Sequence, residues 1–344
     1  MRIHFSNRHA VHAPGAFLSR GQITANPETP ARAQALLDAV RGSGHELVDS
    51  QSFGLEPVRS VHDADYLDFL EHAWRDWSAL PGHTPEVIPN VHPGRNMNGR
   101  PRAIVGRAGH YQADCACPIG LGTWEGIQAS ADCALSAASE VMGAGAAQYA
   151  YALCRPPGHH AYADMAGGFC FLNNTAIAAQ CCRGHGAARV AIVDVDVHHG
   201  NGTQGIFYHR GDVMTVSLHG DPAEFYPFFA GYREEVGEGD GHGCNVNIPL
   251  ARGIGDDVFM EHLQLALARV RDFEPEVLVL ALGLDASEHD PLAFLKITTD
   301  GFRRIGETIA ALKLPTVLVQ EGGYLSEYLG ANLAATLDGF EAAR

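Results

Sequence analysis

Five short apolar runs punctuate the chain, at residues 149–154, 189–195, 213–218, 277–282 and 316–319. Their length and unbroken hydrophobicity predict strands buried on both faces, the pattern of a parallel sheet. Other segments carry helical spacing. Residues 31–40 follow Pro30 and stop before Gly42, residues 127–142 are rich in alanine, and 256–271, 300–312 and 325–337 repeat apolar positions every three to four residues. Strands alternating with helices predict an α/β domain built on a mostly parallel sheet. From about 80 to 122 the pattern lapses into Pro, Gly, Asn and His. A long irregular stretch of this kind is read as a large loop at a site mouth or a subunit interface, with a plain surface loop as the competing reading.

The polar positions sharpen the picture. Open α/β sheets bind ligands beyond the carboxyl ends of their strands. His159 and His160 follow the first run, and Asp194-Val-Asp196-Val-His198-His199-Gly200 ends the second. Asp285 follows the 277–282 run, and Glu321-Gly322-Gly323-Tyr324 follows the last. Four polar clusters therefore project onto one rim.

A strand ending in Asp196-x-His198 turns a carboxylate and an imidazole to the same face. That mixed oxygen and nitrogen pair suits zinc or a similar divalent ion, and Asp285 completes three protein ligands with a further position open. Taken alone, the motif reads better as helix-capping aspartates beside a core histidine; four clusters on one rim favour the metal. In Arg155-Pro156-Pro157-Gly158-His159-His160 a stiff backbone presents adjacent imidazoles, suited to acid–base work near neutral pH. Further metal ligands are the other reading of this pair. Asp194 and Asn201 are the candidates to orient the two rings, and a charged partner raises basicity more than a neutral one, so the histidines are expected to differ in pKa. The Tyr324 hydroxyl is a candidate donor to a developing oxyanion. Phe169, in Gly167-Gly168-Phe169, and Tyr226 are candidates to line a narrow apolar channel, with core packing as the alternative.

Composition sets the limits. The 344 residues suffice for one large domain or two ordinary ones, and the 46% apolar and 19% charged fractions are those of a globular chain. The net charge of −16 disfavours nucleic acid and anionic membranes as partners and favours cationic small molecules, although solubility alone also accounts for it. The eight cysteines form no Cys-x-x-Cys pair, no apolar run is long enough to span a bilayer, and Met1-Arg-Ile-His-Phe-Ser6 lacks a hydrophobic leader. A reduced cytoplasm is the expected setting.

These motifs together resemble the zinc-dependent histone deacetylase family of the arginase–deacetylase fold. The resemblance is carried, in order, by Arg155-Pro-Pro-Gly-His-His160, Gly167-Gly-Phe169, Asp194-Val-Asp-Val-His-His-Gly200, Ser217-Leu-His219, Leu282-Gly-Leu-Asp285 with Asp290-Pro291, and Glu321-Gly-Gly-Tyr324. It spans nearly the whole chain. Thr123-Trp-Glu125, His219-Gly-Asp-Pro222, the 80–122 insert and Asn201 in place of an aspartate resemble the bacterial acetylpolyamine amidohydrolases most.

The resemblance implies a single catalytic domain over residues 1–344, with about eight strands flanked by helices. It implies zinc on Asp196, His198 and Asp285, and His159, His160 and Tyr324 as catalytic groups, with His160 the general base. It further implies Asp194 and Asn201 as orienting partners, Gly168, Phe169 and Tyr226 against the substrate, and a structural potassium site. Asp194, Ser217 and backbone carbonyls of Asp196, His198 and Leu218 would form that site. A homodimer is implied as well. Members acting on long polyamines place glutamates at the mouth, where Phe17, Val105 and Ala116 stand here. Short acetylated diamines, acetylputrescine or acetylcadaverine, are therefore the expected substrates, with the Tyr226 hydroxyl available to a distal amine. Rival readings are deacetylation of acetyl-lysine in proteins, ureohydrolysis on two manganese ions, and an acetyl-ligand sensor without turnover.

Overall fold

A computed structural model describes residues 1–344 other than 144 and 146. Its strands are β1 (Arg2–Phe5), β2 (Ala16–Ser19), β3 (Gln22–Ala25), β4 (Glu46–Asp49), β5 (Tyr149–Ala152), β6 (Val190–Asp194), β7 (Val213–Gly220), β8 (Asn245–Leu250), β9 (Val277–Leu282) and β10 (Thr316–Gln320). Eight of them form one sheet in the order β4-β1-β5-β10-β9-β6-β7-β8, and every pairing is parallel. β2 and β3 form a separate antiparallel hairpin. The chain is thus a single α/β domain on an eight-stranded parallel sheet. The helices are α1 (Pro30–Arg41), α2 (Glu56–Arg59), α3 (Ala64–Ser78), α4 (Ile104–Tyr111), α5 (Thr123–Met142), α6 (Asn174–Gly184), α7 (Asn201–Phe207), α8 (Asp256–Phe273), α9 (Thr299–Ala310) and α10 (Leu329–Ala342).

The continuous apolar runs exist because both faces of the sheet are covered. Along β9, Leu278, Leu280 and Leu282 point into a core shared with Leu36 of α1, Phe259 of α8, Phe302 of α9 and Leu333 of α10. The alternate residues Val277 and Val279 pack with Phe69 of α3, Leu135 of α5 and Ile177 of α6. All five sequence-predicted strands are present, with ends shifted by a few residues. The helix read over 325–337 begins later, at Leu329, and continues to Ala342. β1, β4 and β8 escape the pattern because charged or amide side chains interrupt them, as in Arg2-Ile-His-Phe5 and Asn245-Val-Asn-Ile-Pro-Leu250. The 80–122 stretch is irregular apart from α4 and an antiparallel bridge between Val87 and Ile119.

α9 and α10 pack through glycines. A Cβ on Gly306 would sit 2.1 Å from the Thr336 carbonyl oxygen, and one on Gly339 would sit 2.2 Å from the Arg303 carbonyl oxygen. Helix propensity alone favours alanine at these positions by about 1 kcal/mol. Overpacking against backbone reverses the sign, so Gly339→Ala is expected to destabilise the fold by about 1–3 kcal/mol in chemical denaturation. A variant as stable as the parent would mean that the two helices separate freely.

Candidate active site

Asp196, His198 and Asp285 converge at the carboxyl ends of β6 and β9, all buried, with potential ligand atoms within 4.8 Å of one another. His198 Nδ1 lies 3.2 Å from Asp196 Oδ1 and 3.2 Å from Asp285 Oδ2. Backbone amides anchor both carboxylates: Gly322 N–H donates to Asp196 Oδ2 at 2.8 Å, and Val197 N–H to Asp285 Oδ1 at 3.0 Å. No side chain fits beside them. A Cβ on Gly283 would stand 2.2 Å from Asp196 Oδ2, and one on Gly322 2.1 Å from Asp285 Oδ2. Among the described residues no Lys or Arg pairs with either carboxylate. Burial works against a charged imidazole, yet the two carboxylates outweigh it and push His198 up to about 9. Two buried carboxylates and an imidazole with no basic residue form a donor set that fits a divalent cation.

The segment after β5 brings the tandem histidines against this cluster. His159 Nδ1 donates to Asp194 Oδ2 at 2.9 Å, His160 Nδ1 donates to Asn201 Oδ1 at 2.6 Å, and the ring centroids are 4.0 Å apart. An acceptor at each Nδ1 leaves each Nε2 as the atom that exchanges protons. The two environments push the rings in opposite directions. Burial opposes the His159 charge, but Asp196 and Asp194 outweigh it and raise the ring to about 10. Burial, then the neighbouring His159 and His198, drive His160 well below its ordinary value. The two adjacent rings therefore favour opposite protonation states.

The Glu321 side chain welds this loop to the turn after β10. Its Oε2 accepts the Gly158 and His159 amides at 2.6 and 3.0 Å, and its Oε1 accepts the Thr175 hydroxyl at 2.5 Å. Arg32 donates to the carbonyls of Glu321 and Gly323, and its guanidinium stands 5.4 Å from the Tyr324 ring centroid. The Tyr324 amide donates to Asp290 Oδ2 at 2.7 Å, while its hydroxyl forms no hydrogen bond to the protein among the described residues. Burial and then the nearby Asp285 charge push Asp290 up to about 7. Beneath the site Arg155 pairs with Glu28 at 2.8 Å and donates to the carbonyls of His9 and His12.

Around this chemistry Phe169, at φ +68°, stands 5.8 Å from the Tyr324 ring and 5.3 Å from Phe17. The Tyr226 ring meets His160 edge-on at 5.0 Å. Gly168 passes between them, where a Cβ would lie 2.4 Å from the His160 ring and 2.9 Å from the Tyr226 hydroxyl. That hydroxyl, expected to be available to a distal amine, donates to Asp114 Oδ2 at 2.6 Å, which leaves its oxygen lone pairs as acceptors. Of the remaining expected positions, Ser217 lies near Asp194 in a small cavity of about 10 Å³, also lined by His199, Thr203 and Gln204, and Leu218 is buried beside it on β7. The Ser217 hydroxyl contacts His219 Nδ1 at 2.8 Å.

Sequence reasoning missed Glu28, Arg32, Asp114 and the side-chain roles of Glu321 and Asp290. Arg32 had a signal, since it shares the apolar stripe of α1 with Leu36 and Val40. Asp114 sits in irregular chain and had none.

The comparisons with known proteins agree with this geometry. The histone deacetylase domain model matches residues 26–340. A catalytic α/β domain with this rim is a hydrolytic deacetylase, and the chain belongs to the histone deacetylase family. It is 45% identical over 343 residues to acetylpolyamine amidohydrolase 1 of Pseudomonas aeruginosa, covering 98% of each chain. It is 46% identical to an acetylpolyamine amidohydrolase of Burkholderia pseudomallei over the full length of both. A crystal structure of acetylpolyamine aminohydrolase from Burkholderia pseudomallei matches with a TM-score of 0.96 at 46% identity, covering 100% of this chain and 99% of the other.

Because one carboxylate receives three donors, Glu321→Gln leaves at least one of them facing an amide –NH2. The expected cost is about 1–3 kcal/mol of stability, with a fall in kcat as the histidine loop loosens. Unchanged denaturation and turnover would show that the loop holds its shape without this anchor.

Proposed function

We propose that the chain is a zinc-dependent amidohydrolase that removes acetyl groups from small acetylated diamines, giving acetate and the free amine. The observation that carries this reading is the juxtaposition of two unequal histidines with the Asp196, His198 and Asp285 donor set. Asp196, His198 and Asp285 would hold the zinc ion, which when bound would supply Lewis acidity toward the acetyl carbonyl and toward water. His160 Nε2 accepts the proton of the attacking water, while His159, paired with Asp194, keeps the positive charge beside it. The Tyr324 hydroxyl donates to the carbonyl oxygen as that atom becomes an oxyanion. A protonated imidazole then returns its proton to the leaving amine nitrogen.

Phe169 and Tyr226 flank the alkyl chain with Gly168 beside the amide, a role supported by their contacts around His160 and Tyr324. A structural potassium ion held by Asp194, Ser217 and the carbonyls of Asp196, His198 and Leu218 is supported by the small polar cavity next to Asp194 and Ser217. The printed names of the relatives support an acetylpolyamine substrate. The 80–122 segment is assigned to the site mouth or to a homodimer interface, and exposed Val91, Met97 and Leu121 lend support to the second. Eight free cysteines support a cytoplasmic setting. No helix among the described residues is long and apolar enough to cross a membrane.

The test is a substrate panel on metal-defined protein. With about one zinc per chain, acetylputrescine and acetylcadaverine should be hydrolysed with higher kcat/KM than an acetyl-lysine peptide. The reverse order selects the protein-deacetylase alternative, and activity that requires two manganese ions selects ureohydrolase chemistry. Separately, Tyr324→Phe should lower kcat by about 10²–10³ with metal content unchanged. Full turnover in that variant would remove the tyrosine from the mechanism.

A further inference from the structure

We propose that Asp114 is a specificity-determining residue, selecting substrates that carry a positive charge a short alkyl chain away from the acetyl amide. The proposal rests on the deacetylase reading above and adds to it the group that recognises the amine.

Asp114 belongs to the irregular 80–122 stretch, but its position is closely fixed. Ala166 N–H donates to the Tyr111 carbonyl at 2.8 Å, Ala113 N–H to the Ala166 carbonyl at 2.7 Å, and Phe169 N–H to the Ala116 carbonyl at 3.1 Å. This short backbone ladder lays residues 111–116 along the Gly167–Phe169 wall. The carboxylate is then turned onto that wall. Oδ2 accepts the Tyr226 hydroxyl at 2.6 Å and the Gly168 amide at 3.2 Å, and Oδ1 accepts the Ala116 amide at 2.7 Å. Tyr226 and Gly168 both lie against the His160 ring, so the charge sits one hydroxyl away from the candidate reacting end of the site.

Three further features make this a recognition group rather than a structural one alone. Asp114 forms no ion pair among the described residues, although it is half-buried. A carboxylate offers about four acceptor positions; two amides and a hydroxyl occupy three, and the Cys117 thiol, 3.8 Å from Oδ1, is only a weak fourth contact. The expected mouth positions Phe17 and Ala116 are uncharged and pack around Phe169, so they supply no carboxylate of their own. A partly desolvated, unpaired carboxylate beside an apolar wall attracts an ammonium more strongly than an exposed one does. Tyr226 is needed as tyrosine because its hydroxyl fixes which way the carboxylate faces.

The experiment compares N-acetylcadaverine with the neutral N-pentylacetamide, which has the same chain length and acetyl amide. In the wild-type enzyme the ratio of kcat/KM values should favour the cation, and Asp114→Asn should lower that ratio roughly tenfold, with the loss in KM. Tyr226→Phe, which keeps the charge but releases it, should lower the ratio by less. The wild-type ratio should also fall several-fold as salt is raised from low to high concentration. This readout needs no variant to fold. An unchanged ratio in Asp114→Asn, or a wild-type ratio insensitive to salt, overturns the assignment while leaving the deacetylase reading intact. Wild-type protein inert toward both acetamides overturns that reading, and this inference with it.

Discussion

Asp196 and Asp285 bring two carboxylates to one buried point, with an imidazole between them and, among the described residues, no Lys or Arg paired with either. Anions removed from water at this depth repel each other unless a cation joins them. The surrounding structure is arranged to keep them there. Glycines at 283 and 322 give them room, and the backbone amides of Val197 and Gly322 hold one oxygen of each. The same electrostatics reach outward. The carboxylates pull His159 toward its charged form, while burial first, and then the neighbouring His159 and His198, push His160 toward its neutral form. The contrast between the two histidine environments is therefore a property of the whole charge arrangement, in which Asp194 both orients the His159 ring and adds to the charge that raises it.

Loops carry all of this chemistry, and loops by themselves are mobile. Here they are tied to one another. Glu321 joins the histidine loop to the tyrosine loop, Arg32 reaches up from α1 to the carbonyls on either side of Gly322, and Asp290 fixes the Tyr324 amide. Arg155 and Glu28 close the floor as a buried ion pair. Each strut spans a large distance in sequence and joins segments that share no strand or helix.

That separation explains what the sequence did and did not disclose. The central strands were legible because β6, β9 and β10 are buried on both faces and so consist of apolar residues. The candidate site residues were legible because they fall just beyond those strands. β1 and β8 were hidden by Arg2, Asn245 and Asn247, whose polarity serves local hydrogen bonds rather than the sheet. Asp114 and Glu28 were hidden for a different reason. Their partners, Tyr226 and Arg155, lie more than a hundred residues away, and no periodicity encodes such a pair.

The strand order also bears on how the chain acquires this shape. β5 lies between β1 and β10, so a strand from the first turn of the sequence and one from its last sixth flank the same neighbour. Until β10 arrives, β5 and β9 each present an open edge in what becomes the centre of the sheet. A nascent chain leaving the ribosome therefore carries the open β5 edge while residues 153–315 are made, and the two halves of the sheet join only near the end. Such long-range parallel pairing is slow and leaves edges open to other chains. Growth temperature and chaperone supply should accordingly govern the yield of native protein more strongly than the stability of the finished fold does.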